Sequence, residues 1–330
     1  MRHLSDAAME RLRDGAGVPD LAGTRYRLLG EVARGGMGIV YAAEDEQLRR
    51  RVALKVLDRQ GGEAEMSDRL MREARVLARL EHPGIVPVHE VGTLVDGRVF
   101  YAMKFVEGER LDQHLECLVS VPDRLRLFLR ICDAVAFAHT RGVLHRDLKL
   151  ANVMVGPFGE VLVMDWGLAK ILATVGDSYI STQNTPGASH GKGNDASVVT
   201  GHGRVMGTPG YMSPEQARGE VETLDARSDV FSLGALLRFV AGQKSRRMER
   251  ALEAICDKAC AQDREGRYET VPEFATDVSR YLDGLAVGAY RENILERAAR
   301  FYQRYRFFIL LIATYLLVRV MLVLFYRRPG

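Results

Sequence analysis

The sequence predicts an α+β chain in two unequal parts followed by a long apolar helix. Three observations predict it. Strand-like alternation, broken by glycine-rich and charged turns, runs from Tyr26 to Val56 and returns between Val86 and Val106. One amphipathic stretch, "SDRLMREARVLARLEH", lies between these runs with apolar residues at helical spacing. From Leu111 onward helical patterns dominate, ending in "FFILLIATYLLVRVMLVLFY", Phe307 to Tyr326. With 330 residues, 47% of them hydrophobic, the chain can fill one large core or two smaller ones.

Residues 1–24 are polar and read as a tail, with no apolar run of signal-peptide length, so no cleaved export signal is expected. In the amphipathic stretch Ser67 is the predicted N-cap, and Leu70, Ala74, Leu77 and Leu80 share one face. Glu73 lies on that same face. A carboxylate aimed at a core needs a cationic partner to offset its desolvation. "TVGDSYISTQNTPGASHGKGNDASVVTGHG" is rich in Gly, Ser, Thr and Asn, cannot bury enough surface to order itself, and reads as a long mobile loop. A net charge of +3 is too small to indicate a nucleic-acid partner. Cys117, Cys132, Cys256 and Cys260 show no CxxC pair, and the last two, four apart in a helical stretch, read as core packing in a reducing compartment.

"HRDLKLANVMV", His145 to Val155, sets an Asp, a Lys and an Asn at steps of two and three residues between an apolar helix and a strand. "VLVMDWG" reads as a buried strand ending in Asp165, an edge carboxylate well placed for a metal. "ARGGMGIVY" places glycines in a hairpin where backbone can approach a phosphate. "VALK" ends a strand in Lys55, the candidate cation for Glu73.

Together, and in this order, these motifs resemble a eukaryotic-type serine/threonine protein kinase, specifically the bacterial membrane-attached members, over roughly Tyr26 to Leu282. The resemblance implies a bilobal kinase fold, with a small β-rich N-lobe at 25–105 and a helical C-lobe at 106–285 that carries an insert at 172–203. It implies ATP and Mg²⁺ as cofactors, Mn²⁺ being an alternative, and protein substrates with Ser or Thr acceptors. Asp147 would orient the substrate hydroxyl and Lys149 would neutralise the transferring phosphoryl. Asn152 and Asp165 would hold the metal, and Lys55, paired with Glu73, would hold the α- and β-phosphates. Ala33, Gly35 and Gly38 would cover the phosphates, Ala33 standing where the family has a glycine. Val40, Ala53 and Met154 would contact the adenine, with Met103 as gatekeeper and the Lys104 and Val106 backbone at its edge. Trp166, in place of the family's Phe, would pack under Leu77 near His145. Thr208 would reach Asp147 and Lys149, Glu215 would pair with Arg267, and Asp229 would anchor the catalytic-loop backbone.

Arg146 resembles the arginine that meets a phosphorylated activation loop, with Thr200 as the main expected site and Ser197 as the second. The segment after "LGALLRFVAG" is a few tens of residues shorter than the family pattern. A catalytically weak kinase-like scaffold is the alternative, set against it by the presence of every residue the chemistry needs.

Of the 20 residues from Phe307 to Tyr326, 14 are Leu, Ile, Val or Phe. At about −0.3 to −0.6 kcal/mol each they favour insertion by roughly 4–8 kcal/mol, against about 3 kcal/mol for Arg319. A single membrane span at 307–326 is expected, the alternative being a helix packed on the C-lobe or a partner. Arg291, Arg297, Arg300, Arg304 and Arg306 precede it and only Arg327 and Arg328 follow, which predicts a cytoplasmic kinase domain. The basic stretch 286–306 is expected to form an amphipathic helix on anionic lipid, and a homodimer through the span is a further expectation. With four residues after Tyr326, no extracellular sensor is expected.

Overall fold

The computed structural model describes residues 18–35, 38–58, 63–166, 170–171, 210–220, 223–242 and 249–326. Thr200, Ser197, Thr208 and the 172–203 insert lie outside them.

The five strands β1 (Tyr26–Gly35), β2 (Gly38–Asp45), β3 (Arg50–Val56), β4 (Val88–Thr93) and β5 (Val99–Lys104) form one antiparallel sheet in the order β1-β2-β3-β5-β4. Period-two alternation gives the sheet two different faces. Ile39, Tyr41, Val52, Leu54, Phe100 and Ala102 build a small core on one face, closed by Tyr26 and Leu94. Ala53, Tyr101 and Met103, on the other, belong to the large core that runs through the rest of the protein. Lys55 lies two residues from Ala53 and opposite both Val40 and Tyr101, so it shares this inner face.

Helix α1 (Glu63–Ala78) covers that face through Leu70, Ala74 and Leu77. Ser67 is not its N-cap; the helix starts at Glu63, a turn earlier. Glu63, Ala64, Glu65 and Met66 explain the extension, since all four suit a helix and acidic residues favour its N-terminal turn.

The second part opens with β6 (Glu109–Arg110), α2 (Leu111–Cys117) and α3 (Val121–Thr140). Then come β7 (Val143–Leu144), β8 (Val153–Val155), β9 (Val161–Val163) and β10 (Lys170–Ile171), followed by α4 (Pro214–Ala217), α5 (Ala226–Gly242), α6 (Arg250–Ala259) and α7 (Val271–Leu282). Ser120 caps α3 and Thr270 caps α7, each accepting a backbone N–H three residues on. Arg124 is buried in α3 and donates to the carbonyls of Leu115 and Leu118 and, at 3.3 Å, to that of Val240. It thereby satisfies orphan carbonyls at the C-terminal ends of α2 and α5. Cys132 and Cys256 are core residues, and burial pushes the Cys256 thiol up to about 12.

After α7 the chain is not helical until α8 (Ile294–Tyr326). Buried Asp277 accepts from the N–H groups of Gly288 at 2.8 Å and Ala289 at 3.0 Å, fastening this connection to the C-lobe. Glu296 accepts from Tyr290 Oη at 3.0 Å and stands 3.4 Å from Arg250. Of the basic stretch 286–306, where a helix is expected, residues 286–293 form this pinned connection and 294–306 are helical, continuous with the apolar run in one 33-residue helix. Residues 294–326 contain neither Pro nor Gly, in keeping with an unbroken helix.

Candidate active site

Predicted residues from both parts meet between them. Lys55 Nζ lies 2.7 and 2.8 Å from the two carboxylate oxygens of Glu73 and 3.5 Å from Asp165. The cation that Glu73 requires is thus Lys55. Burial would lower the Lys55 pKa, but Glu73 first and Asp165 second outweigh it and raise it. Asp165 would likewise be raised by burial, yet Lys55, then His145 and Lys149, hold it below its ordinary value.

Tyr101 was not anticipated. Its buried hydroxyl donates to Glu73 Oε1 at 2.8 Å. Its position two residues before Met103 on β5 was the available signal, because that spacing keeps both on the inner face.

The glycine hairpin behaves unevenly. A Cβ on Gly38, at φ +152°, would collide with the Val56 carbonyl, so the neighbouring strand demands glycine there. Among the described residues a Cβ on Gly35 would meet only the Gly38 carbonyl, at 3.8 Å. Ala33 pairs with Val40 in the β1–β2 ladder. Ala53 and Met103 face each other across β3 and β5 and both are buried, while Val40, Val106 and Met154 are half-buried around them. Lys104 ends β5, and its N–H is bonded to the Pro87 carbonyl at 3.1 Å; its carbonyl side and Val106 lie on the segment joining the lobes.

Asp147 accepts from Lys149 Nζ at 2.7 Å and from Asn152 Nδ2 at 3.3 Å. Asn152 Nδ2 also donates to the Asp147 carbonyl at 2.9 Å, which leaves the amide oxygen as the atom able to face a metal. Asp165, at φ +57°, is exposed enough to accept one too. Two hard oxygen donors suit a divalent cation that completes its shell with phosphate and water. Among the described residues no three His, Cys, Asp or Glu converge on one point.

The catalytic loop is held from behind. Asp229, fully buried in α5, accepts from the N–H groups of His145 at 2.9 Å and Arg146 at 2.8 Å. Burial would raise Asp229, but the hydrogen bond from His139 at 2.7 Å leads the interactions that lower it. His145 Nε2 meets the Met164 carbonyl at 3.0 Å and its Nδ1 accepts from the Asp147 N–H at 3.3 Å, so the proton sits on Nε2. Trp166 is buried with its ring 4.5 Å from that of His145, and Leu77 belongs to the same core. Glu215 and Arg267 meet through two bonds of 2.7 and 2.9 Å.

The protein kinase domain family matches residues 26–297. The chain belongs to that family. This kinase domain is 31% identical over 302 residues to the serine/threonine-protein kinase PknD of Protochlamydia amoebophila, and 34% identical over 301 residues to PknD of Chlamydia trachomatis. The matches cover 78–79% of this chain but only 30–32% of those relatives, so the chain spans about a third of their length. The fold is similar to that of the Mycobacterium tuberculosis PknI kinase domain, with a TM-score of 0.55 and 24% identity over 78% of this chain and 96% of that one. A double mutant of the same domain gives 0.56 and 25%, over 81% and 98%.

Proposed function

We propose that the chain is a membrane-attached serine/threonine protein kinase that uses Mg²⁺, or Mn²⁺, with ATP. The observation that carries this is the bridge Glu73–Lys55–Asp165, which brings α1, β3 and the strand-end carboxylate to one cleft in a closed arrangement. Bound ATP with its metal supplies the γ-phosphoryl group. Lys55 would hold the nonreacting phosphates, and Asn152 and Asp165 would provide the metal's protein oxygens. Asp147, its carboxylate positioned by Lys149 and Asn152, orients the acceptor hydroxyl and receives its proton, while Lys149 offsets charge on the moving phosphoryl. The test is transfer of radiolabelled phosphate to Ser or Thr by full-length protein in liposomes, against Asp147→Asn. Equal label from both proteins would refute the assignment.

Autophosphorylation occurs in the activation segment, chiefly at Thr200 and secondarily at Ser197, with Arg146 as the receiving cation. Arg146 Nε is buried without a hydrogen-bond partner among the described residues, and burial, opposed by Asp229, lowers its pKa. A phosphate there would supply the acceptor. Mass spectrometry after ATP treatment that finds no phosphate between Ser178 and Thr208 would remove this step.

Attachment runs through α8. Its 33 residues span about 50 Å at 1.5 Å each. Phe307, Leu311, Leu317 and Met321 are all more than 60% exposed, which favours a span over packing of this part of the helix on the C-lobe. Such a continuous apolar surface calls for lipid or a partner. Among the described residues no helix is long and apolar enough to cross a membrane. The side chains described on α8 stop at Met321, part-way along the apolar run that the sequence carries to Tyr326. That apolar run supports a span, and the arginine asymmetry supports a cytoplasmic kinase domain. Release by alkaline carbonate would contradict it. A homodimer through α8 would be excluded by a detergent-solubilised monomer with full activity.

A further inference from the structure

Gln216, next to the ion-paired Glu215, has no role in the scheme above. It is 4% exposed, and each end of its amide is used. Gln216 Oε1 accepts from Ser213 N at 3.1 Å and from Ser213 Oγ at 3.0 Å. Gln216 Nε2 crosses to the catalytic loop and donates to the Arg146 carbonyl at 2.8 Å.

That carbonyl belongs to the peptide joining Arg146 to Asp147. Arg146 is one of three non-glycine residues with positive φ among those described, at +70°. An L-residue with a Cβ avoids this left-handed region unless its surroundings impose it. Asp229 binds the N–H on one side of Arg146, and Gln216 binds the C=O on the other. Losing the Gln216 bond leaves this peptide held only by the 3.3 Å bond from the Asp147 N–H to His145 Nδ1, so it loosens, and its rotation swings the Cα–Cβ direction of Asp147. The other end of Gln216 is tied to Ser213, on the segment that runs from Gly210 and Tyr211, and the Tyr211 carbonyl accepts from Ser232 on α5 at 2.7 Å.

We propose that Gln216 is a positioning residue: its side-chain amide holds the Arg146–Asp147 peptide in its strained orientation and ties the aim of Asp147 to the segment 210–216. This rests on the kinase reading.

The test uses full-length protein in liposomes with steady-state kinetics for ATP and a Ser/Thr peptide. Gln216→Glu keeps an acceptor for Ser213 but cannot donate to Arg146; Gln216→Met loses both bonds. In each, kcat is expected to fall about tenfold, roughly one buried hydrogen bond expressed in the transition state, with KM for ATP within about twofold. The deciding comparison repeats Gln216→Glu in an Arg146→Gly background. Glycine takes positive φ without steric cost, so the clamp loses its task and the further loss should shrink to about threefold or less.

Unchanged kcat in Gln216→Glu, or an equal fold-loss in both backgrounds, would overturn the proposal. Should Gln216→Met fail to fold, Gln216→Glu decides; if that also fails to fold, Gln216 is a structural residue and the proposal falls. An inactive wild type, or activity that survives Asp147→Asn, would count against the kinase reading and the proposal together. An active wild type, a dead Asp147→Asn and an unaffected Gln216→Glu would sink the positioning role alone.

Discussion

Arg267→Met should destabilise the folded protein by about 3–5 kcal/mol at neutral pH, the cost of leaving one member of a buried ion pair alone. The Arg267 side chain is 0% exposed and that of Glu215 4%, so solvent does not screen the pair. Arg267 also donates to the Ala261 carbonyl at 2.8 Å and the Arg227 carbonyl at 3.1 Å, bonds that methionine cannot replace. The Glu215 pKa gives an independent figure. Burial pushes it up, but the hydrogen bond from Arg267, helped by its own backbone and Ser228, brings it from 4.5 down to about 2. At 1.36 kcal/mol per pKa unit this corresponds to about 3 kcal/mol. A depressed carboxylate pKa gives stability that is full above the unfolded value and lost as protons bind. Wild type should therefore lose about that much from this group as pH falls from 4.5 through 2. Urea unfolding of full-length protein in detergent at pH 7 and across the acid range reads both effects. Arg267→Met should be less stable at pH 7 with a flatter acid limb. Replacing both residues, Glu215→Leu with Arg267→Met, should recover part of the loss. A single-variant cost below about 1 kcal/mol, or an acid limb as steep as wild type, would refute the reasoning.

The other predictions concern the cleft and one helix junction. Tyr101→Phe removes the hydroxyl on Glu73 but keeps the packed ring, so kcat/KM for ATP should fall about tenfold with the melting temperature little changed; an unaltered kcat/KM would deny Tyr101 a part in holding Glu73. Gly38→Ala forces a methyl group against the Val56 carbonyl and should cost about 1–3 kcal/mol while raising KM for ATP, both readable by thermal melts and kinetics. Arg124→Met strips the cap from two helix ends and should cost at least about 2 kcal/mol in urea unfolding, without a change in KM for ATP.

Motif residues and local periodicity made most of the cleft legible in advance. Glu73 on the apolar face of its helix required a cation, and Lys55 on a strand was the available one; the 2.7 Å contact joins them. Asp147, Lys149 and Asn152 are close in sequence, so one short loop could bring them together, and the Glu215–Arg267 pair followed from the family pattern. The start of α1 was misplaced because Ser67 is a good N-cap in isolation, while the residues before it are good enough helix formers to carry the helix a turn further. The first residues of the basic stretch, 286–293, are not helical because Asp277 and Glu296 hold them in a connection that composition does not register.

Sequence alone determined the alternation that gives the sheet two faces, the residues of the loop that carries Asp147, and the apolar composition of the run 307–326. These are short-range properties, set by side-chain type and by the period of strand or helix. Only the tertiary structure decided which distant groups support the site. Tyr101 lies 28 residues from Glu73, and Gln216 lies 70 residues from Arg146. A hydroxyl or an amide reads as an ordinary polar residue until folding sets it beside a buried carboxylate or an unpaired carbonyl. Its contribution comes from that desolvated partner, and no local pattern encodes the partner's position.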